Sequence, residues 1–403
     1  MEDNTGIAHE SNGVEHPATR PASPGREAPG GAEGRADRVD PAGRKSAGGL
    51  DAKGRPRNPI PRRVPWLEVG IFVATAVILG WLVCLPLWLS GDGLQNLVVV
   101  QLCGQALMLT PLLATILALI VQRRRAARAR TARAQAPPAQ TVIGMQPAAA
   151  QSAVTRYLGI WPLTPARRVV GLTLAALFGT YLLVATTYLL AAAFGWFEID
   201  LVGLSGFKAQ LSALPGLDQL PIGAAIAIYL AIIVFNSIVT AIFAFGEEVG
   251  WRGWLLTSLR PLGTWPALLI IGVIWGLWHA PLILLGYNFG RTDISGLGFM
   301  LGGCVMLSFL FGWLRLRSGS LWPAVFAHGA LNGSSAMLLG LFADASAATP
   351  DMALVTVLGV SGWIVSALII AVLVLTGQFR HRPELGRPAP NRPESNRPEP
   401  GSG

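Results

Sequence analysis

The sequence is short of charge, of cysteine and of histidine, and each shortage excludes something. Only 13% of its 403 residues are Asp, Glu, Lys or Arg, about half the share of an ordinary soluble domain. Hydrophobic residues make up 52%. That balance excludes a soluble globular protein and points to a chain that crosses a membrane several times. The three cysteines, Cys84, Cys103 and Cys304, lie far apart in apolar stretches. They form neither a disulfide framework nor a Cys-x-x-Cys metal site, and read as small hydrophobes. No apolar stretch precedes Trp66, so no cleaved leader is expected and the first membrane segment is retained. The net charge of +9 does not imply a nucleic-acid partner, because the arginines cluster beside apolar segments, where they orient a chain in lipid.

What is present is a series of apolar runs. Eight are long enough for a ~30 Å hydrocarbon core at ~20 residues each: 66–89, 96–121, 169–195, 224–258, 266–286, 297–314, 321–341 and 354–376. The fourth is overlong. Residues 210–229 read as an external or re-entrant piece, with the span itself nearer 230–258. Alternate connections carry the arginines: Arg55, Arg57, Arg62 and Arg63 before the first span, then Arg123–Arg125, Arg128, Arg130, Arg133, Arg156, Arg167 and Arg168 after the second. Arg260, Arg315, Arg317, Arg380 and Arg382 fall on the same side, against Lys208 and Arg291 opposite. The positive-inside rule then places both termini in the cytoplasm, which needs an even number of spans.

The expected fold is therefore an all-α polytopic bundle of about eight spans. It divides into a disordered cytoplasmic tail (1–63), two transmembrane helices (64–121), a basic cytoplasmic loop (122–167), a six-helix membrane core (168–376) and a second disordered tail (377–403). The tails are too poor in apolar residues to offset ordering entropy, and the basic run 122–135 suits anionic lipid headgroups. The expected location is a multi-pass position in a bacterial plasma membrane.

Within the spans the ionisable residues are few: Glu68 at an edge, then Glu247, Glu248, Arg252, His279 and His328. A charge at mid-bilayer costs about 2.5–3.5 kcal/mol even on the mildest insertion scale, so such groups default to function. Glu248 and Arg252 stand i,i+4 with the acid first, the favourable order for an intrahelical ion pair. Glu247 is turned about 100° away and is free to act as a general base or acid. His328 and Asn332 are also i,i+4, so imidazole and amide can converge on one oxygen, the arrangement that stabilises an oxyanion. Pro281, two residues after His279, cannot donate to the Leu277 carbonyl and should leave a kink and an unpaired acceptor beside the histidine. Asn236 reads as a bond between helices. Gly246/Gly250, Gly272/Gly276, Gly298/Gly302 and Gly329/Gly333 form four GxxxG pairs that would let helices approach closely.

As an ordered set, Glu247-Glu-Val-Gly-Trp-Arg252, Trp275-x-x-x-His279 and His328-x-x-x-Asn332 resemble the three motifs of the CPBP family. This family, also called Abi, comprises CAAX proteases and bacteriocin-processing enzymes. The resemblance covers about residues 220–345. It implies an intramembrane endopeptidase in a cytoplasm-facing cavity, acting on a membrane-associated peptide or protein, lipidated in the best-understood members. By position, Glu247 would activate water with help from His279, His328 and Asn332 would hold the oxyanion, and Glu248 and Arg252 would shape the site. Trp275 stands where many members have Phe, which should alter cavity shape rather than chemistry. No cofactor is expected on this mechanism, and the HExxH spacing of soluble zinc proteases is absent. A zinc ion on Glu247, His279 and His328 is the alternative. Outside the resemblance, the same charges would suit a transporter whose ionisable residues form an ion path, or a non-catalytic membrane scaffold or immunity protein.

Overall fold

The computed structural model describes residues 61, 63–134, 154–212, 216 and 219–379. Nearly all of both tails, with the arginines counted in them at 55, 57, 62, 380 and 382, and positions 135–153 of the basic loop lie outside the described residues. The protein is all-α. Among the described residues the one β pairing is an isolated bridge between Ile199 and Ala343. The long helices are α1 (Trp66–Leu89), α2 (Leu97–Ala134), α3 (Ala166–Ala193), α4 (Ile222–Glu248), α5 (Thr264–Trp278), α6 (Ile294–Ser318), α7 (Trp322–Phe342) and α8 (Val360–Leu375).

Seven segments are long and apolar enough to cross a membrane, and the chain is an integral multi-pass membrane protein. The remaining expected span, the fifth at 266–286, is the shorter α5, apolar but only 15 residues long. It stops one residue before His279, and the chain resumes as a single turn over Ala280–Ile283. Pro281 explains the break: its ring has no N–H to give and crowds the preceding turn.

The fourth span differs from expectation. Helix α4 runs unbroken from Ile222, with Pro221 immediately before it, so residues 222–229 belong to the span and it does not begin near 230. Nothing between Ile222 and Leu230 stops a helix once proline has set its entry. The external piece is instead the short helix Ser205–Ser212. Beyond Glu248 the chain continues through a π-helical turn, Val249–Leu255, to Leu259.

Glycine sets the spacing of the core helices. A Cβ on Gly329 would lie 2.6 Å from the Ser237 carbonyl oxygen, and one on Gly333 2.7 Å from Ser237 Cα, so α7 lies directly on α4. Gly272 and Gly276 press likewise on Val305 and Leu301 of α6, and Gly246 and Gly250 on Met108 and Pro111 of α2. Three of the four GxxxG pairs thus sit at helix contacts. In the fourth, Gly302 meets Trp363 of α8, while Gly298 faces open space. These close approaches bring α2, α4, α5, α6 and α7 around one polar centre.

Candidate active site

The π-helical turn follows directly on the paired glutamates, and all seven of its residues are buried. Its i→i+5 bonding widens the helix, which leaves carbonyls for side chains to use. The Arg252 carbonyl accepts from Arg315 Nε at 3.3 Å, and Gly253 from Thr257 Oγ1 at 2.7 Å. Arg315, which the sequence offers as a loop arginine, is in fact fully buried.

Glu248 and Arg252 form the expected pair at 2.8 Å, both fully buried. The same carboxylate oxygen also accepts from His328 Nδ1 at 2.9 Å. The remaining guanidinium nitrogens of Arg252, Nε and Nη2, have no hydrogen-bond partner. Its carbon instead lies 4.2 Å from the Trp275 ring centroid and 5.2 Å from that of Phe311, a cation–π sandwich that offsets part of the desolvation.

Glu247 points elsewhere. Its Oε2 accepts from the Trp275 indole at 2.8 Å and, more weakly, from the Trp251 indole at 3.3 Å. Trp275 is therefore the hub of the site. It holds Glu247 by its N–H, carries Arg252 on its face, and meets the His328 ring edge-on at 5.4 Å and the His279 ring at 5.8 Å. Phenylalanine at this position would have no N–H to give, so Trp275 adds a hydrogen bond to Glu247 to the shape expected of it.

His279 is fixed by the break in its own helix. Its backbone N–H bonds to Gly276 at 3.2 Å, which leaves the Trp275 carbonyl for its Nδ1 at 2.8 Å. A carbonyl can only accept, so Nδ1 carries the hydrogen and Nε2 of the neutral ring keeps its lone pair. Asn332 is exposed, one turn along α7 from His328, and Asn236 donates across to the Gly333 carbonyl at 2.9 Å, as expected of a bond between helices.

Glu247, Trp275, His279, His328 and Asn332 all line one cavity of about 470 Å³. Glu248 and Arg252 stand behind that wall. Among the described residues no three or more His, Cys, Asp and Glu side chains are grouped to hold a metal ion, so no step below is routed through one.

The cavity has a direction. From Glu247 it extends past Gln101 of α2 to Tyr287 and Asn288 in the α5–α6 connection and to Thr356 and Val357 before α8. Both of those connections lie at the arginine-poor end of the bundle. Toward the arginine-rich end the site is closed. Trp251, Trp254 and Arg315 are fully buried there, and residues 157–160 are stitched over them. Tyr157 OH meets Ser258 Oγ at 2.7 Å, the Gly159 carbonyl accepts from Leu321 N at 2.8 Å, and the Ile160 carbonyl from the Trp322 indole at 3.2 Å.

Residues 225–334 match the Rce1-like family, described as type II CAAX prenyl endopeptidase Rce1-like. The matched stretch contains all three motifs. Through this core the chain is similar to the CAAX-protease family. A curated relative, CAAX prenyl protease 2 of Methanococcus maripaludis, is 29% identical over 99 residues, which cover 23% of this chain and 36% of that protein. The chain thus spans about a third of the length of the curated relative it matches. Helices α1 and α2 and the 154–161 segment lie outside the family match, yet Gln101, Gln105 and Met108 of α2 line the same cavity.

Sequence reasoning missed three participants: Trp275 as a donor, Arg315 as a buried brace, and α2 as a cavity wall. Only the last left a signal. Gln101 and Gln105 stand i,i+4 in an otherwise apolar run, a pattern that lipid does not satisfy.

Proposed function

We propose that this chain is an intramembrane endopeptidase of the CAAX-protease type that hydrolyses a peptide bond with a water activated by Glu247. The observation that carries the reading is the meeting of Glu247, His279, His328 and Asn332, from three separate segments, on one cavity within apolar spans. Two indole N–H groups hold one oxygen of the Glu247 carboxylate, so the other is left to take a proton from water as the water oxygen bonds to the scissile carbon. His279, whose Nε2 lone pair is available, orients that water. The Asn332 amide donates to the developing oxyanion, and His328, held by Glu248 Oε1 at 2.9 Å, stands one helical turn from it. The C–N bond then breaks, and the proton held by Glu247 passes to the leaving amine. The substrate class is a membrane-associated polypeptide.

Purified protein in detergent should cleave an internally quenched, farnesylated CAAX peptide, and Glu247→Ala should abolish cleavage while leaving the protein folded. Full activity in Glu247→Ala would overturn the mechanism. Comparing the protein termini in membranes that contain wild-type or Glu247→Ala enzyme would identify native substrates.

A further inference from the structure

We propose that helices α1 and α2 set the place of the His279 imidazole, with Thr110 acting through the Trp278 indole and Trp88 through the Pro281 carbonyl as positioning residues. The contacts stand on the fold alone; their effect on a rate rests on the proposed endopeptidase reading.

The need for outside support comes from the break in the helix. His279 stands between two helical pieces, α5 ending at Trp278 and the turn Ala280–Ile283. Its ψ is −5°, against about −42° in an α-helix. Its Nδ1 bonds to the Trp275 carbonyl at 2.8 Å, with the Cys304 sulfur 3.9 Å off. Both contacts are at one atom, and the ring can tilt about it.

On a continuous helix adjacent side chains diverge by about 100°. Across this break the Trp278 and His279 rings meet edge to face, with centroids 4.7 Å apart and planes at 79°, a geometry that aromatic rings favour. The same indole meets the Trp251 ring at 5.7 Å and 73°, and Trp251 is a donor to Glu247. Trp278 therefore touches the histidine on one side and a support of the glutamate on the other.

Trp278 is held in turn from α2. Its N–H can only donate and reaches Thr110 Oγ1 at 3.1 Å. The hydroxyl accepts there and turns its own hydrogen to the Ala76 carbonyl of α1, 3.5 Å away. All three residues are buried, so an apolar side chain at 110 would leave the indole N–H without an acceptor, at a cost in free energy. Gly80 lets α1 lie against the same indole: a Cβ there would stand 3.2 Å from Trp278 Nε1. On the far side of His279, the Leu285 N–H bonds to Leu282 at 3.1 Å rather than reaching back four residues to Pro281. The Pro281 carbonyl is taken by the Trp88 indole of α1, at 2.9 Å. The chain is thus gripped on both sides of the histidine by two helices outside the matched stretch 225–334.

The test uses the purified full chain in detergent and two readouts. One is steady-state cleavage of the quenched farnesylated CAAX peptide. The other is carbethoxylation of His279 by diethyl pyrocarbonate, followed by mass spectrometry, which needs no catalysis. Thr110→Val keeps the shape of the side chain and removes the hydroxyl. It should lower kcat about two- to tenfold, the ~0.5–1.5 kcal/mol of one neutral hydrogen bond at ~1.4 kcal/mol per decade, with KM little changed. The labelling rate of His279 should rise by a like factor. Thr110→Ser, which restores the hydroxyl, should return both readouts to wild type. Trp88→Phe should move both in the same direction as Thr110→Val. Trp88 is 39% exposed, so this variant opens no core and carries the test if a thermal melt shows Thr110→Val unfolded. In an enzyme that cleaves, a folded variant with either readout at the wild-type value overturns the positioning role and leaves the endopeptidase, as does a loss that Thr110→Ser does not restore. Raised labelling in a protein that cleaves nothing, wild type included, leaves the positioning role standing and removes the endopeptidase reading.

Discussion

Replacing Trp275 with phenylalanine separates shape from chemistry. The substitution keeps an aromatic ring beside Arg252, His279 and His328 but removes the N–H that reaches Glu247 Oε2 at 2.8 Å. What is left on that oxygen is the longer bond from Trp251, at 3.3 Å. A hydrogen bond to a charged group contributes about 1.5–3 kcal/mol, so its loss should lower the rate by roughly ten- to 150-fold at 1.4 kcal/mol per decade. The weakened cation–π contact with Arg252 adds less than about 1 kcal/mol, and to stability rather than rate. Because the lost bond positions the carboxylate and does not touch the substrate, kcat and kcat/KM should fall together with KM little changed. Steady-state kinetics on the quenched peptide read this, with a thermal melt of the same preparation as the control. Trp251→Phe, which removes the longer bond, should cost less. A Trp275→Phe enzyme with kcat within about twofold of wild type would refute the positioning role, as would a larger loss in Trp251→Phe.

The paired glutamates should separate by readout. Glu248→Gln leaves Arg252 buried without a counter-charge and should destabilise the fold by about 3–5 kcal/mol, seen as a lower melting temperature, whereas Glu247→Gln should abolish cleavage with little change in the melt. Gly329→Ala places a methyl 2.6 Å from the Ser237 carbonyl oxygen and 2.7 Å from Ala241 Cα. It should force α7 away from α4 and cost about 1–3 kcal/mol, measured by the same melt. Asp293 caps α6 and accepts from the Ser295 hydroxyl at 2.5 Å and the Ser295 N–H at 2.8 Å. These two bonds, the hydroxyl first, hold its carboxyl below the usual carboxylate range. A depressed folded value means that the cap stabilises above the unfolded value, about 4, and loses its effect as pH falls through the lower folded value. The melting difference between wild type and Asp293→Ala should thus be full near neutrality and fade as pH falls below about 4.

Much of this site was legible because lipid makes polar residues conspicuous. In an apolar chain, Glu247, Glu248, Arg252, His279 and His328 stand out singly, and helical spacing alone gave the Glu248–Arg252 pair and turned Glu247 away from it. The Asn236 bond to α7 followed from the same reasoning, and at His279 the expected kink is a full break between Trp278 and Ala280. Contacts between helices had no such signature. The His328 and Asn332 spacing is satisfied, yet what holds the imidazole is Glu248 on α4, a partner 80 residues away that no periodicity reveals. Trp275 looked like one apolar residue among many, because its N–H matters only once α5 is laid against α4.

Arg315 bears most directly on orientation, because it was counted as a loop charge and is not one. Its side chain is fully buried, with Nε on the Arg252 carbonyl and Nη2 at 3.5 Å from that of Tyr157. A cation held inside by carbonyl oxygens is part of the fold and says little about which way the chain was inserted. Removing it from the count does not change the sign, since Arg123–Arg125, Arg128, Arg167 and Arg168 remain exposed at the same end. It does change what lies at that end. Arg315 is buried beside the arginine of the Glu248–Arg252 pair, and the cavity beside Glu247 extends the other way, toward Tyr287, Asn288 and Thr356.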